Sequence, residues 1–224
     1  MNDTANTKRG IRPRDAASLV LIDDSAGEPR ILMGRRHSRM KFIPDAFVFP
    51  GGKLDQGDIG VRPASGFAEA TAEAVKRAAA SRAKAEALAA AAIRETFEET
   101  GLLIARQGDV GAAAGEGWTP FRERGLAPCL DVLDFVARAI TPASSPIRFH
   151  ARFFAANAEA ASGELKGSGE LEDLGWYTVS EALKLPVIDV TEFVLNEIAR
   201  RHKGEHRARA PLYSYRNDKP VVRG

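Results

Sequence analysis

With 224 residues, 44% of them hydrophobic and 28% charged, the chain can bury a sizeable core and is expected to form one domain over 1–224, ordered from about 14 to 200. A formal net charge of +2 is too small a field to suggest nucleic-acid binding, and the single Cys129 excludes an internal disulfide. No transmembrane-length apolar run or secretory signal occurs, and the closing Val221-Val222-Arg223-Gly224 is not a Ser-Lys-Leu type of address, so a cytoplasmic protein with no membrane partner is the expectation.

Residues 1–14 are polar and expected to fray. Residues 17–23 read as a strand, 24–29 as a turn and 30–34 as the antiparallel partner. The aromatic and β-branched run 47–49 predicts a third strand, closed by a tight loop at Pro50-Gly51-Gly52. From 65 to 100 the chain is dominated by Ala, Glu, Lys and Arg, with no Pro and no Gly after Gly66, which predicts one long helix or two stacked ones. Residues 108–117 read as a loop, whereas Leu130, Leu133, Val136 and Ala137 have helical spacing within 126–140. Strand character returns at 148–156, a turn-rich connection spans 163–169, and 176–179 reads as a last strand. Ser180 is the expected cap of the next helix, and 191–201 forms a C-terminal helix with Phe193, Val194 and Ile198 on one face. The basic run Arg200-Arg201-His202-Lys203 then suits the end of that helix.

Glu95, Glu98 and Glu99 lie in the last turn of the predicted helix before Gly101, the end that disfavours acids by about 0.3 to 1 kcal/mol each. Taking Ile93 as zero, Thr96, Phe97 and Thr100 fall within roughly 60°, while Glu98, Glu95 and Glu99 fall near roughly 140°, 200° and 240°. One face packs and the other gathers three carboxylates. Taken alone, such a trio is an ordinary solvated helix face. Converging carboxylates are also what a hard cation such as Mg²⁺ binds, so compensating positive charge is expected beside them. The four histidines, His37, His150, His202 and His206, show no metal-ligand spacing.

The run Arg94-Glu95-Thr96-Phe97-Glu98-Glu99-Thr100-Gly101-Leu102, with Gly52 upstream, resembles the box of the Nudix hydrolases. Thr96 stands where the family pattern has an aliphatic residue. The pattern would put its arginine at 66 and it stands at 94, so the box is split by 28 residues. Counting from Gly52 the box acid is Asp58; counting back from Arg94 it is Glu86. Glu86 is favoured for the helix side and Asp58 as a loop acid.

The resemblance implies an α+β Nudix fold, an α/β/α sandwich with a mixed sheet, here with an Ala-rich helical insertion at about 59–85 inside the box and outside the core. It implies Glu95, Glu98 and Glu99 as ligands of Mg²⁺, with Mn²⁺ as a substitute, and Arg94 holding the carboxylates through an ion pair with the box acid. A further acid about six residues before a strand-opening Trp corresponds to Glu170, ahead of Trp176, with Glu172 and Asp173 as fallbacks. Substrate contacts are expected from Gly51, Gly52, Arg36, Arg138, Arg148 and Arg152, with Arg35 a further phosphate candidate, since guanidinium groups suit phosphate oxygens.

The split box, with Arg138-Ala139-Ile140-Thr141-Pro142 and the 148–154 segment, is similar to the coenzyme A diphosphatase-like subgroup of peroxisomal type and its bacterial relatives. The implied reaction is cleavage of the pyrophosphate in a nucleoside diphosphate joined to another group, coenzyme A or acyl-coenzyme A first. Alternatives are an ADP-ribose, dinucleotide or nucleotide-sugar diphosphatase, and a non-catalytic nucleotide-sensing module. The implied partner is a small nucleotide-type molecule, with a homodimer left open.

Overall fold

The computed structural model describes residues 11–40, 43–79 and 81–224. The strands are β1 (Arg14–Asp23), β2 (Arg30–Arg36), β3 (Phe47–Val48), β4 (Gly51–Lys53), β5 (Ala105–Gln107), β6 (Leu126–Pro128), β7 (Asp134–Ile140), β8 (Phe149–Asn157), β9 (Leu171–Thr178), β10 (Leu212–Arg216) and β11 (Lys219–Arg223). The helices are α1 (Glu69–Lys76), α2 (Arg82–Thr100), α3 (Thr119–Glu123), α4 (Val179–Ala182) and α5 (Asp189–His202).

Among the described residues nine strands share one mixed sheet, ordered β11-β10-β7-β8-β1-β2-β3, with β4 added to β1 and β9 to β2. The pairs β1–β8 and β7–β10 are parallel; the others are antiparallel. Strand alternation divides the core in two. Ala17, Leu19 and Leu21 of β1 pack with Leu88, Ala92 and Ile93 of α2 on one face. Val20, between them, packs with Val194, Leu195 and Ile198 of α5 on the other. The result is the expected sandwich with a mixed sheet.

Several local expectations need correction. Gly51–Lys53 is a strand, not a loop: Ala17 pairs with Gly52 and Ser18 with Gly51. The 126–140 segment is two strands, not a helix. Leu130, Leu133 and Phe135 bury in the α2-side core and Val136 and Ala137 in the α5-side core, and a run buried on both sides imitates helical spacing. Thr178, not Ser180, caps α4, in a reciprocal box with Glu181. Beyond α5 the chain adds the hairpin β10–β11, so ordered structure runs past residue 200.

The composition of the 59–85 stretch predicts a helical appendage, and the structure differs. Helix occupies only α1 and the start of α2, and the two are separate helices. Val75, Ala78 and Ala85 belong to the core, Phe67 stacks on Phe154, and the Thr71 hydroxyl donates to the Leu133 carbonyl at 2.9 Å. Small alanine side chains let α2 sit close to its neighbours, so nearly every side from Ala87 to Arg94 is buried. An alanine-rich composition here marks tight packing, not solvent exposure.

Candidate active site

Helix α2 ends at Gly101, whose N–H bonds the Phe97 carbonyl. On the packed side, the Thr96 hydroxyl donates to the Ala92 carbonyl and that of Thr100 to the Thr96 carbonyl. The hydroxyl of Thr96 is thereby satisfied in a fully buried position, which explains how it stands where the family pattern has an aliphatic side chain.

Arg94 is the hub of the opposite side and is 5% exposed. Its Nε donates to Asp58 Oδ1 at 2.7 Å and its Nη2 to Oδ2 at 3.1 Å. Nη1 donates to Glu98 Oε2 at 3.0 Å and lies 3.1 Å from Glu95 Oε1. Burial works against the Arg94 charge, but the hydrogen bonds to Asp58 and the fields of Glu95, Asp58 and Glu98 outweigh it and raise the pKa. Asp58 is itself buried and saturated, accepting also from Trp118 Nε1 at 3.1 Å and from the Asp55 N–H at 2.8 Å. A buried ion pair needs its remaining oxygens satisfied in this way to hold.

The preference for Glu86 as the acid facing Arg94 is therefore corrected. Glu86 lies nearer the start of α2 and accepts from Arg82 Nε, a pair four residues apart on the helix surface. Asp58, in a short 3-10 turn after β4, meets Arg94 instead.

Glu99 is 5% exposed and accepts the Gly51 N–H at 2.9 Å. Burial lifts its pKa to about 8; the Gly51 bond opposes this, Glu95 and Glu170 reinforce it, and Arg36 opposes it. Burial lifts Glu95 to about 7 against the pull of Arg94, with Glu98 adding repulsion. Two glycines leave room for these carboxylates: a Cβ on Gly52 would stand 2.3 Å from the Glu95 carboxyl, and one on Gly117 would stand 1.9 Å from Glu98 Oε1. Any side chain at either position would displace an acid.

Of the predicted site residues, the structure thus brings together Glu95, Glu98, Glu99, Arg94, Gly51, Gly52 and Asp58, with Glu170 and Arg36 close enough to bias Glu99. The fallback acids Glu172 and Asp173 are engaged by Arg35 at 2.9 and 2.7 Å. Three arginines expected to meet substrate lie elsewhere. Arg152 is 3% exposed, pairs with Asp15 and donates to the His150 and Ala78 carbonyls. Arg148 donates to the carbonyls of Ile11 and Thr141. Arg138 faces a different cleft, whose lining includes none of the box acids. Gly117 closes the predicted 108–117 loop and Trp118 follows it; both shape the site, and no local signal links them to residues 58 and 94.

Among the described residues no three acidic, His or Cys side chains are placed as a set to hold a metal ion. Glu95 and Glu98 turn toward Arg94 and Glu99 toward Gly51. In kind, however, the donors fit a hard cation: they are carboxylates, crowded and partly desolvated, and the protons that burial makes them retain are what a cation would replace.

The chain is 30% identical to the NUDIX hydrolase from Alicyclobacillus acidocaldarius, whose crystal structure superposes with a TM-score of 0.68 over 84% of this chain and 92% of that one. It belongs to the Nudix hydrolase family. A Caenorhabditis elegans protein that carries the name nudix hydrolase 7 is 28% identical over 152 residues, 63% of this chain. The match spans 43% of that relative's length. No protein-family model matches the chain. Within this Nudix hydrolase no helix among the described residues is long and apolar enough to cross a membrane.

Proposed function

We propose that the chain hydrolyses a phosphoanhydride in a nucleoside diphosphate joined to another group, in the presence of Mg²⁺ or Mn²⁺. The observation that carries this reading is the convergence of Glu95, Glu98 and Glu99 around Gly51 and Gly52, fastened from behind by the buried Arg94–Asp58 pair. Glu95, Glu98 and Glu99 would hold the cation, with Glu170 as the loop acid. A divalent cation supplies charge neutralisation on phosphate oxygens and acidifies water. The protein's own part is to fix the carboxylates: Gly51 N–H orients Glu99, and Arg94 orients Glu95 and Glu98. Arg36, whose charge already acts on Glu99, is the arginine best placed to meet a substrate phosphate.

Coenzyme A or an acyl-coenzyme A is the proposed substrate, on the strength of the split box and the 138–142 and 148–154 segments, with 28 residues between Asp58 and Arg94 read as the insertion. Arg148 and Arg152 lend this no support, since Arg148 is engaged by backbone carbonyls and Arg152 is buried against Asp15. The test is a panel of coenzyme A, acetyl-coenzyme A, ADP-ribose, dinucleotides and nucleotide sugars with Mg²⁺, with products resolved by mass spectrometry. Adenosine bisphosphate and a phosphopantetheine are expected from coenzyme A. Efficiency on ADP-ribose or a dinucleotide at least tenfold higher overturns the coenzyme A assignment, and no turnover of any member overturns the hydrolase reading.

A further inference from the structure

Away from the acids, a cleft of about 670 Å³ lies between α1, β7, the end of α5 and the β10–β11 hairpin. Six arginines line it, Arg77, Arg138, Arg201, Arg207, Arg209 and Arg223, against Glu73, which itself lies 3.7 Å from Lys76, and the carboxylate of Gly224. Among the described residues only Arg207 of the six has a carboxylate within ion-pair reach, Glu197. Arg201 is half-buried and gives its Nη2 to the carbonyls of Phe135 and Val136; burial lowers its pKa, with Asp134 and Glu197 opposing from a distance.

The wall behind the cleft is also cationic. Arg138 pairs across β7–β8 with Arg152, and Arg152 reaches the carbonyl of Ala78, which lines the cleft. Arg152 Nε and His150 Nε2 are buried without a hydrogen-bond partner among the described residues. Asp15 is the acid on this cluster, and it is shared with Lys84. So many guanidinium groups around one concavity outnumber the negative groups beside them and leave a positive field that suits an anion.

We propose that this cleft binds a small molecule carrying two or more phosphate groups, at a site separate from the acid cluster. Guanidinium forks pair with phosphate oxygens, and the cleft volume suits a nucleotide-sized molecule better than one phosphate ion. Its walls are also partly apolar, through Ala74, Phe135 and Leu212, so a nucleoside can share it with an oligophosphate. Along α2, Lys84 beside this cluster and Glu98 in the acid cluster are separated by about 21 Å of helix rise, so one phosphate chain does not span both. The site does not depend on the reaction proposed above.

The test is calorimetric titration of the full chain with inorganic tripolyphosphate and, separately, with ADP, in EDTA and about 100 mM salt, where surface charge alone is screened beyond about 10 Å. One saturable site is expected, weakened at least tenfold by the double change Arg77→Glu and Arg209→Glu, and kept in Glu98→Gln. Both arginines are exposed, and unchanged unfolding midpoints confirm the fold; should the double variant misfold, Arg223→Ser carries the same test with an expected loss of about threefold. Equal affinity for the two probes assigns the site to phosphates alone, and tighter ADP binding assigns it to a nucleotide. Absence of saturable binding, binding indifferent to these changes, or binding abolished by Arg36→Ala overturns the proposal.

Discussion

The two ends of α2 carry opposite charge, and each opposes the helix's own dipole. Its first turn contains Arg82 and Lys84 and no acid; its last contains Glu98 and Glu99, one turn on from Glu95, and no base. Charges so placed weaken a helix. Their compensation comes partly from the helix and partly from outside it: Glu86 meets Arg82 and Asp15 meets Lys84 at one end, and at the other Arg94, itself held by Asp58, meets two of the three acids. The difference lies in what remains unbalanced. At the acidic end Glu99 has, among the described residues, a backbone donor and the field of Arg36, whereas beyond the basic end, past Lys84, Asp15 and Arg152, the surplus is a row of arginines. One helix therefore separates a place that calls for cations from one that calls for anions.

The largest effect is expected from removing charge at the acidic end. Glu98→Gln and Glu99→Gln should each lower turnover by at least on the order of 10²-fold, since even outer partners of metal ligands cost about 10- to 100-fold. In EDTA both variants should remain folded, and Glu99→Gln should be more stable than the wild type because it discards a desolvated carboxylate. Steady-state rates and urea unfolding check this. Near wild-type turnover in both would sink the assignment of these acids.

Asp58→Ala tests the fastening instead of the acids. It leaves Arg94 buried without its main partner, a defect worth about 3 to 5 kcal/mol. Denaturant unfolding should show a loss of that order. An unchanged midpoint would mean that Arg94 finds full compensation from Glu95 and Glu98 alone.

The pH dependence distinguishes the ends by sign. Glu95 and Glu99 have folded pKa values raised to about 7 and about 8, so the fold holds these protons more tightly than the unfolded chain does. Their contribution favours the fold at low pH and is lost as pH rises toward 8. His150 has the opposite effect: burial and its arginine neighbours lower its pKa to about 4, so the fold resists its protonation and gains stability as pH rises to about 6.5. Above that value only the acidic end acts. Stability in EDTA should therefore fall between pH 6.5 and 8.5, and Mg²⁺ should abolish the fall. Flat EDTA curves would contradict the burial of these carboxylates.

A smaller loss is expected where α1 meets the sheet. Val75→Ala should cost about 1 to 2 kcal/mol, as for other buried truncations, whereas an appendage would show no change. Thermal unfolding compares the two.

How much of this the sequence disclosed follows the range of each interaction. Glu95, Glu98 and Glu99 were legible because helical period alone puts them on one face, and β1 and β2 because a turn separates two apolar runs. Asp58 was legible only as one of two counts, because its meeting with Arg94 joins residues 36 positions apart, and Trp118 was not legible, because its partner Asp58 lies 60 positions away. Arg152 was misplaced because a strand position does not reveal which layer covers it; only the fold shows Ala78 and Asp15 closing over it. The final hairpin did leave a local trace: Tyr213 and Tyr215 alternate up to Asn217-Asp218, whose φ values of 52° and 55° make the tight turn such a pair favours.

The smallest expected effect decides between the two counts of the split box. Glu86 stands at the family spacing from Arg94, yet its partner is the exposed Arg82, whereas Asp58 stands at the family spacing from Gly52 and faces Arg94 inside the protein. If the box acid works through Arg94, the spacing that matters is the one counted from Gly52. Glu86→Gln should then leave both turnover and the unfolding midpoint within error, because an exposed i, i+4 pair contributes little and touches none of the acids. Asp58→Asn, which keeps the size and removes the charge, should lower turnover by about 10- to 100-fold as Glu95 and Glu98 lose their fixed partner. A substantial rate loss in Glu86→Gln with none in Asp58→Asn would reverse the assignment and move the functional centre of α2 toward its basic end.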